Sequence, residues 1–187
     1  MTRWEPDARG RLRQAALELF AERGYDATTV EDVAARAGVT KRTYFRHFPD
    51  KREVLFGNAE AFRQLFVDAL EQAPPDVGPL DAVAGALEAV GATFAGRQEA
   101  SRLRQRVVAS TAELRERELS KFAAVAAAMA AVLHERGVAE PAASLVAETG
   151  VAVFRTAFDR WVAADDGREL VDVLHESLAA LRQLTSG

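Results

Sequence analysis

The chain has 187 residues, 49% of them hydrophobic and 28% charged, with a net charge of −4, which is enough apolar material for one ordinary domain plus a small one. Cysteine is absent, which excludes disulfides, thiolate catalysis and cysteine-ligated metals. The charge is uneven: residues 1–56 hold 11 Lys and Arg against 9 Asp and Glu, a balance of +2, whereas residues 57–187 hold 13 against 19, a balance of −6.

The first seven residues, Met1 to Asp7, mix charges and lack the apolar centre of a signal peptide. The spacing predicts a helix over residues 8–23, with Leu12, Ala15, Ala16, Leu19 and Phe20 on one face and Gly24 closing it. A second helix begins at Thr28 or Thr29, with Glu31 or Asp32 as the capping-box partner. It places Val30, Val33, Ala34 and Ala37 on one side and ends at Gly38. Thr40 then caps a third helix that Pro49 stops; Tyr44, Phe45 and Phe48 are expected inward, and Lys41, Arg42 and Arg46 outward. Between Thr40 and Arg52 there are five Lys and Arg and one acid, so positive charge is focused on a small surface. A helix presenting Thr, Lys and Arg from its first turn suits the DNA major groove, where Lys and Arg bond guanine edges. His47, Lys51 and Arg52 follow where phosphates would lie.

Two stretches, Thr28-Thr29-Val30-Glu31-Asp32-Val33-Ala34 and Ala37-Gly38-Val39-Thr40-Lys41-Arg42-Thr43-Tyr44-Phe45-Arg46-His47-Phe48-Pro49-Asp50-Lys51, carry a resemblance. They resemble the DNA-binding signature of the tetracycline-repressor-like (TetR) family, over about Leu12 to Leu55. The resemblance implies an all-α fold of about nine helices. An N-terminal three-helix helix-turn-helix bundle (1–50) would precede a ligand-binding and dimerisation domain (51–187), with helix 51–72 connecting the two. It also implies a double-stranded, palindromic operator read through helix 40–48. Lys41, Arg42 and Thr43 are the candidates for base-edge or adjacent contacts, with Thr40 at the helix tip, and Thr28, Thr29, Arg46, His47 and Lys51 for phosphates. Phe45 also belongs to the DNA-facing set. It stands where many members carry a tyrosine whose hydroxyl bonds a phosphate, so that contact is missing and Arg46 is placed to compensate.

Asp50 caps a fourth helix, with Glu53 at its capping-box position, running to about Gln72 and so roughly 33 Å long. The Pro74–Pro79 stretch is a linker. Further helices are expected at about 80–95, 98–109, 112–136, 141–164 and 168–184. The longest uncharged apolar run, Phe122 to Leu133, is twelve residues, too short to span a bilayer, so a soluble protein is expected, and the lack of cysteine fits a cytoplasmic one. The last two helices carry Phe154, Phe158, Trp161, Leu170, Leu174, Leu178 and Leu181, more apolar surface than one packing face absorbs. Either these face a partner or they face their own core. The resemblance implies a four-helix bundle with a second copy, hence a homodimer.

His134 and His175 have no second ligand or catalytic partner at a useful spacing, and no phosphate loop, zinc motif or nucleophile elbow occurs. No enzyme activity, metal or cofactor is expected. Ligand binding fits better. Phe62, Phe66, Phe94, Phe122 and Met129 can line an apolar pocket, beside an alanine-rich helix that either packs closely or borders a void. Arg102 and Arg106, four apart on one helical face, can clamp a phosphate or carboxylate, unless they form a salt-bridged surface with Glu99, Glu113, Glu116 and Glu118. The segment Arg102 to Arg117 resembles the family subgroup with an acyl-CoA-like effector domain. The expected function is a ligand-responsive dimeric transcriptional regulator, more readily a repressor, released by a small, largely apolar effector. The rivals are a helical protein–protein adaptor and a small-molecule enzyme.

Overall fold

Helices make up all the regular structure of residues 7–185, which the computed structural model describes. Residues 1–6, most of the stretch weighed as a leader, lie outside the described residues. In chain order the helices are α1 (Ala8–Arg23), α2 (Val30–Arg36), α3 (Lys41–His47), α4 (Glu53–Phe56), α5 (Ala59–Glu71), α6 (Pro79–Ala92), α7 (Gln98–Ala109), α8 (Ala112–Glu135), α9 (Ala142–Ala163) and α10 (Leu170–Thr185). None of them is long and apolar enough to cross a membrane.

The predicted fourth helix is divided. Its backbone turns at Gly57, where a Cβ would stand 2.7 Å from Cε1 of Phe48, and the Gly57 carbonyl accepts a hydrogen bond from the Arg9 guanidinium rather than continuing a helix. Glycine relieves the crowding because it has no side chain, and it also propagates a helix poorly.

The chain forms two compact units. The first contains the described residues up to Ala59 and also Leu103–Glu118. Its core joins Leu12, Leu19, Phe20, Val33, Tyr44 and Phe48 to Val54 and Phe56, and adds Val107, Val108 and Leu114 from far along the chain. The expected boundary near residue 50 is therefore too early, and the second domain is not continuous.

The second unit contains Glu60–Arg102 and the residues from Leu119 onward. Here α6 packs against both α9 and α10. Two glycines set that close approach: a Cβ at Gly91 would lie 2.6 Å from Leu174 Cδ1, and one at Gly150 would lie 2.5 Å from Val83 Cγ1. This packing corrects the expected dimer contacts. Phe154, Trp161, Leu170, Leu174 and Leu178 are each at most 5% exposed and belong to the core of their own unit, with Phe158 and Leu181 packed against it. The hairpin is over-apolar in sequence because α6, rich in alanine and glycine, brings little bulk of its own and takes large side chains from both α9 and α10. In α8, Val125, Ala126 and Met129 are buried, while Ala123, Ala124 and Ala127 face outward.

Candidate nucleic-acid interface

The turn between α2 and α3 is built from local hydrogen bonds. Thr29 caps α2: its hydroxyl oxygen accepts from the Asp32 amide at 3.1 Å, and the Asp32 carboxylate accepts from the Thr29 amide at 2.9 Å. The Asp32 carboxylate also accepts from the Thr29 hydroxyl at 2.6 Å, and this bond first, with the amide bond second, holds the Asp32 carboxyl below its ordinary range. Gly38 then takes φ +69°, the left-handed conformation that favours glycine. Thr40 caps α3 by accepting from the Thr43 amide at 3.1 Å, and the two hydroxyls lie 3.0 Å apart.

The inner face of α3 is rigidly seated. Tyr44 is fully buried, its ring centroid 5.6 Å from that of Phe48, and its hydroxyl donates to the Asp50 carbonyl at 3.1 Å. Burial, with the Asp50 charge adding, raises the Tyr44 pKa. Phe45, expected inward, is instead 46% exposed; a seven-residue helix with Tyr44 and Phe48 inward has turned position 45 away from the core.

The outer face carries Lys41, Arg42, Phe45 and Arg46, all exposed. Lys41 forms an ion pair with Glu31 in which both side chains stay more than half exposed, so a phosphate can displace the carboxylate at little cost. That hydrogen bond is also the main cause of the lowered Glu31 pKa. Arg42 and Arg46 make no ion pair among the described residues. His47 is half-buried, and its Nε2 has no hydrogen-bond partner among the described residues.

Three expected phosphate contacts, Thr28, Lys51 and Arg52, are engaged internally instead. Thr28 is 1% exposed, and its hydroxyl donates to the Gly24 carbonyl at 2.8 Å. Lys51 donates to the Tyr25 and Thr28 carbonyls at 2.8 and 3.1 Å, with its ammonium 4.1 Å from the centre of the Tyr25 ring. Arg52 turns towards Asp50 at 3.3 Å and Glu113 at 3.7 Å. Lys51, and Arg52 through Glu113, are held by partners far enough along the chain that local spacing does not reveal them, whereas Thr28 bonds a carbonyl only four residues back.

In the second unit the apolar members of the expected ligand set come together. Phe62 lies 5.1 Å from Phe66, 6.5 Å from Phe94 and 6.0 Å from Phe122, centroid to centroid, and Phe154, Phe158 and Trp161 complete the cluster. Phe66 and Met129 are fully buried, so the rings fill the space that a ligand would need. Lys121, which the sequence reading passed over, is 9% exposed, with its ammonium 4.5 and 4.3 Å from the Phe62 and Phe122 ring centres.

The paired-arginine clamp is not assembled. Arg102 donates to the Val162 and Ala164 carbonyls at 2.8 and 2.6 Å, and Gln98 donates to Trp161 and Ala164 at 2.7 and 3.1 Å. Together they satisfy the open carbonyls at the end of α9. Arg106 falls in the other unit and is exposed. Of the remaining run, Arg104 pairs with Glu118 at 2.8 Å and Arg117 with Glu53 at 2.8 Å, each guanidinium 5.2 Å from the Phe56 ring centre.

Comparison with known proteins bears on both halves of the chain. Residues 12–57 match the model for bacterial regulatory proteins of the tetR family, and residues 77–186 match the MftR C-terminal domain. The transcriptional regulator TcmR of Streptomyces glaucescens is 45% identical over 82 residues, covering 44% of this chain and 36% of TcmR. MftR of Mycobacterium tuberculosis is 25% identical over 166 residues, covering 87% of this chain and 83% of MftR. Among solved structures, the regulator FadR of Bacillus subtilis in complex with stearoyl-CoA superposes with a TM-score of 0.64 at 21% identity, covering 92% of this chain and 96% of FadR.

Proposed function

Because the chain belongs to the tetR family of bacterial regulatory proteins, we propose that it is a cytoplasmic, dimeric, ligand-responsive repressor that binds a palindromic operator through α3. One observation carries the reading. Arg42 and Arg46 stand exposed, with no ion pair among the described residues, on a short helix whose inner side is locked by buried Tyr44 and Phe48. Cations on a fixed mount lose little further freedom on docking, so more of their interaction with DNA appears as affinity. A two-fold dimer would set two such helices about one duplex turn, ~34 Å, apart.

Because the large side chains of the last two helices serve their own core, the dimer contact falls to what they leave outside. On α9 that is Leu145, 63% exposed, with Ala152 and Thr156, and on α10 it is Ala180 and Leu184, the latter 84% exposed. The effector is a small, largely apolar molecule that enters the ring cluster of the second unit by displacing side chains. An acyl chain has the right character, as in the FadR complex with stearoyl-CoA, and Lys121 at the edge of the cluster is the cation its head group would meet. The backbone passes between the units near residues 59, 102 and 118, so a rearrangement in one unit is transmitted to the other through the chain itself. A coupling of about 1–3 kcal/mol changes operator affinity roughly 5- to 150-fold.

Operator selection from a random duplex pool, followed by gel-shift titration, tests the reading. The wild type should retain one short palindrome with a steep salt dependence. Lys41→Ala with Arg42→Ala should erase sequence preference before all affinity is gone. Equal binding of unrelated duplexes by the wild type would overturn it.

A further inference from the structure

We infer that Phe45 reads the 5-methyl group of an operator pyrimidine, which in ordinary duplex DNA is thymine. The inference rests on the regulator reading and names what one residue of that interface recognises. Among the described residues Phe45, 46% exposed, is the only large exposed hydrophobic side chain of the first unit; Leu65, Leu119, Leu145 and Leu184 all belong to the second. It does not stand at the margin of the cationic face. At about 100° of turn per residue, the outward side chains of α3 follow one another around the helix in the order Lys41, Phe45, Arg42, Arg46, so the ring lies between cations. The Lys41 ammonium is 5.9 Å from its centre. From behind, the ring is propped edge-on against that of Tyr44, centroids 5.6 Å apart and planes at 78°. Tyr44 is fully buried and held through its hydroxyl, so the exposed part of the Phe45 ring is presented from a fixed base.

The chemistry of that ring selects its partner. A phenyl group has no hydrogen-bonding atom, so it cannot bond a phosphate, and pressing it against one strips water from the anion without replacing it. The base edges of the major groove are otherwise nitrogen and oxygen donors and acceptors. Their one apolar feature is the pyrimidine C5 methyl, and an aromatic or aliphatic side chain is what contacts it favourably. Thymine carries this methyl, and so does 5-methylcytosine. Lys41 and Arg42 fix the docked register, and Phe45 discriminates within it, so its contribution depends on theirs.

Uracil scanning of the selected operator tests the assignment, since uracil keeps every hydrogen-bonding group of thymine and lacks only the methyl. In gel-shift titration the wild type should lose about three- to fivefold in affinity when one particular thymine of a half-site becomes uracil. Changing its symmetry mate as well should bring the loss to roughly 10- to 25-fold, the two positions being far apart. At the same position 5-methylcytosine should bind more tightly than cytosine by a similar factor. Phe45→Ala should bind the thymine and uracil operators equally, whereas Phe45→Leu, which keeps an apolar tip, should retain the preference. Any effect of uracil on duplex shape persists in Phe45→Ala, so the comparison of two proteins on two operators isolates the contact. A flat uracil scan of an operator that the wild type does bind, or a preference that survives in Phe45→Ala, would overturn the assignment and leave the regulator reading standing. A wild type that retains no operator at all would remove both.

Discussion

Arg117 donates from Nε to the Glu53 carboxylate at 2.8 Å across 64 residues of sequence, with its guanidinium over the Phe56 ring. Arg104 lies the same 5.2 Å from that ring. Glu53 and Phe56 form α4, and the Glu53 amide donates to the Asp50 carboxylate at 2.9 Å. The next link is the Asp50 carbonyl, which accepts from Tyr44 of α3. The corner between α7 and α8 is thus joined, through named bonds inside one unit, to the helix that carries the cationic tip.

Arg117→Ala leaves a Glu53 carboxylate whose side chain is only 20% exposed without its partner. The expected loss is about 1–2 kcal/mol, a few degrees in Tm. Adding Glu53→Ala should cost less than the sum of the single changes. Strict additivity in thermal melts of the four proteins would show that the pair contributes nothing of its own.

Arg46→Ala and Lys51→Met should separate a phosphate contact from an internal brace. Removing Arg46 should flatten the salt dependence of operator binding by about one unit of log–log slope and leave melting unchanged. Lys51→Met should lower melting, because the Tyr25 and Thr28 carbonyls lose their donor, and leave the slope intact. A reversed pattern would return Lys51 to the DNA surface.

Three helical glycines of the second unit, Gly85, Gly91 and Gly150, differ in what surrounds them. Gly150→Ala forces a Cβ to within 2.5 Å of Val83 Cγ1, on a β-branched side chain with little freedom to move. The overpacking should cost about 1–3 kcal/mol. Gly91→Ala meets the flexible end of Leu174 at 2.6 Å and should cost less. Gly85→Ala enters open space and should stabilise by up to about 1 kcal/mol through helix propensity. Chemical denaturation of the three variants gives the order directly.

Alkaline pH should unfold the first unit. Burial, with the Glu113 and Asp50 carboxylates adding, pushes the Tyr25 phenol up from 10.0 to about 12. The folded state therefore favours the neutral phenol. This contribution to stability is complete below pH 10.0 and is lost as pH climbs towards about 12, because the unfolded chain releases the proton first. With only two tyrosines in the chain, phenolate absorbance reports this cleanly. It should rise together with loss of helical circular dichroism, and tyrosine ionisation at the ordinary pH with helices intact would refute the shift.

Leu145→Asp should yield a soluble, folded monomer in light scattering, because the side chain is 63% exposed and supports no core. Leu174→Ala, at a fully buried position, should instead cost about 2–5 kcal/mol of folding stability. A dimer that survives Leu145→Asp and its counterpart Leu184→Asp would place the contact elsewhere.

The sequence alone determined the helix-turn-helix. Thr29 with Asp32, Gly38, and Thr40 with Thr43 are caps and turns whose partners lie within a few residues, so their chemistry is readable from spacing. It also determined that the remainder is helical, and the family resemblance groups Phe62, Phe66, Phe94 and Phe122 together, although as the lining of a pocket rather than the filled core they form. Only the tertiary structure decided what each apolar or charged face meets. Periodicity shows that a helix has a face, but not whether that face is covered by its own chain, so Phe154 and Leu174 could not be assigned from sequence. Lys51, Arg102 and Arg117 bond partners between 23 and 64 residues away. Such bonds arise from packing geometry, which a linear pattern does not encode.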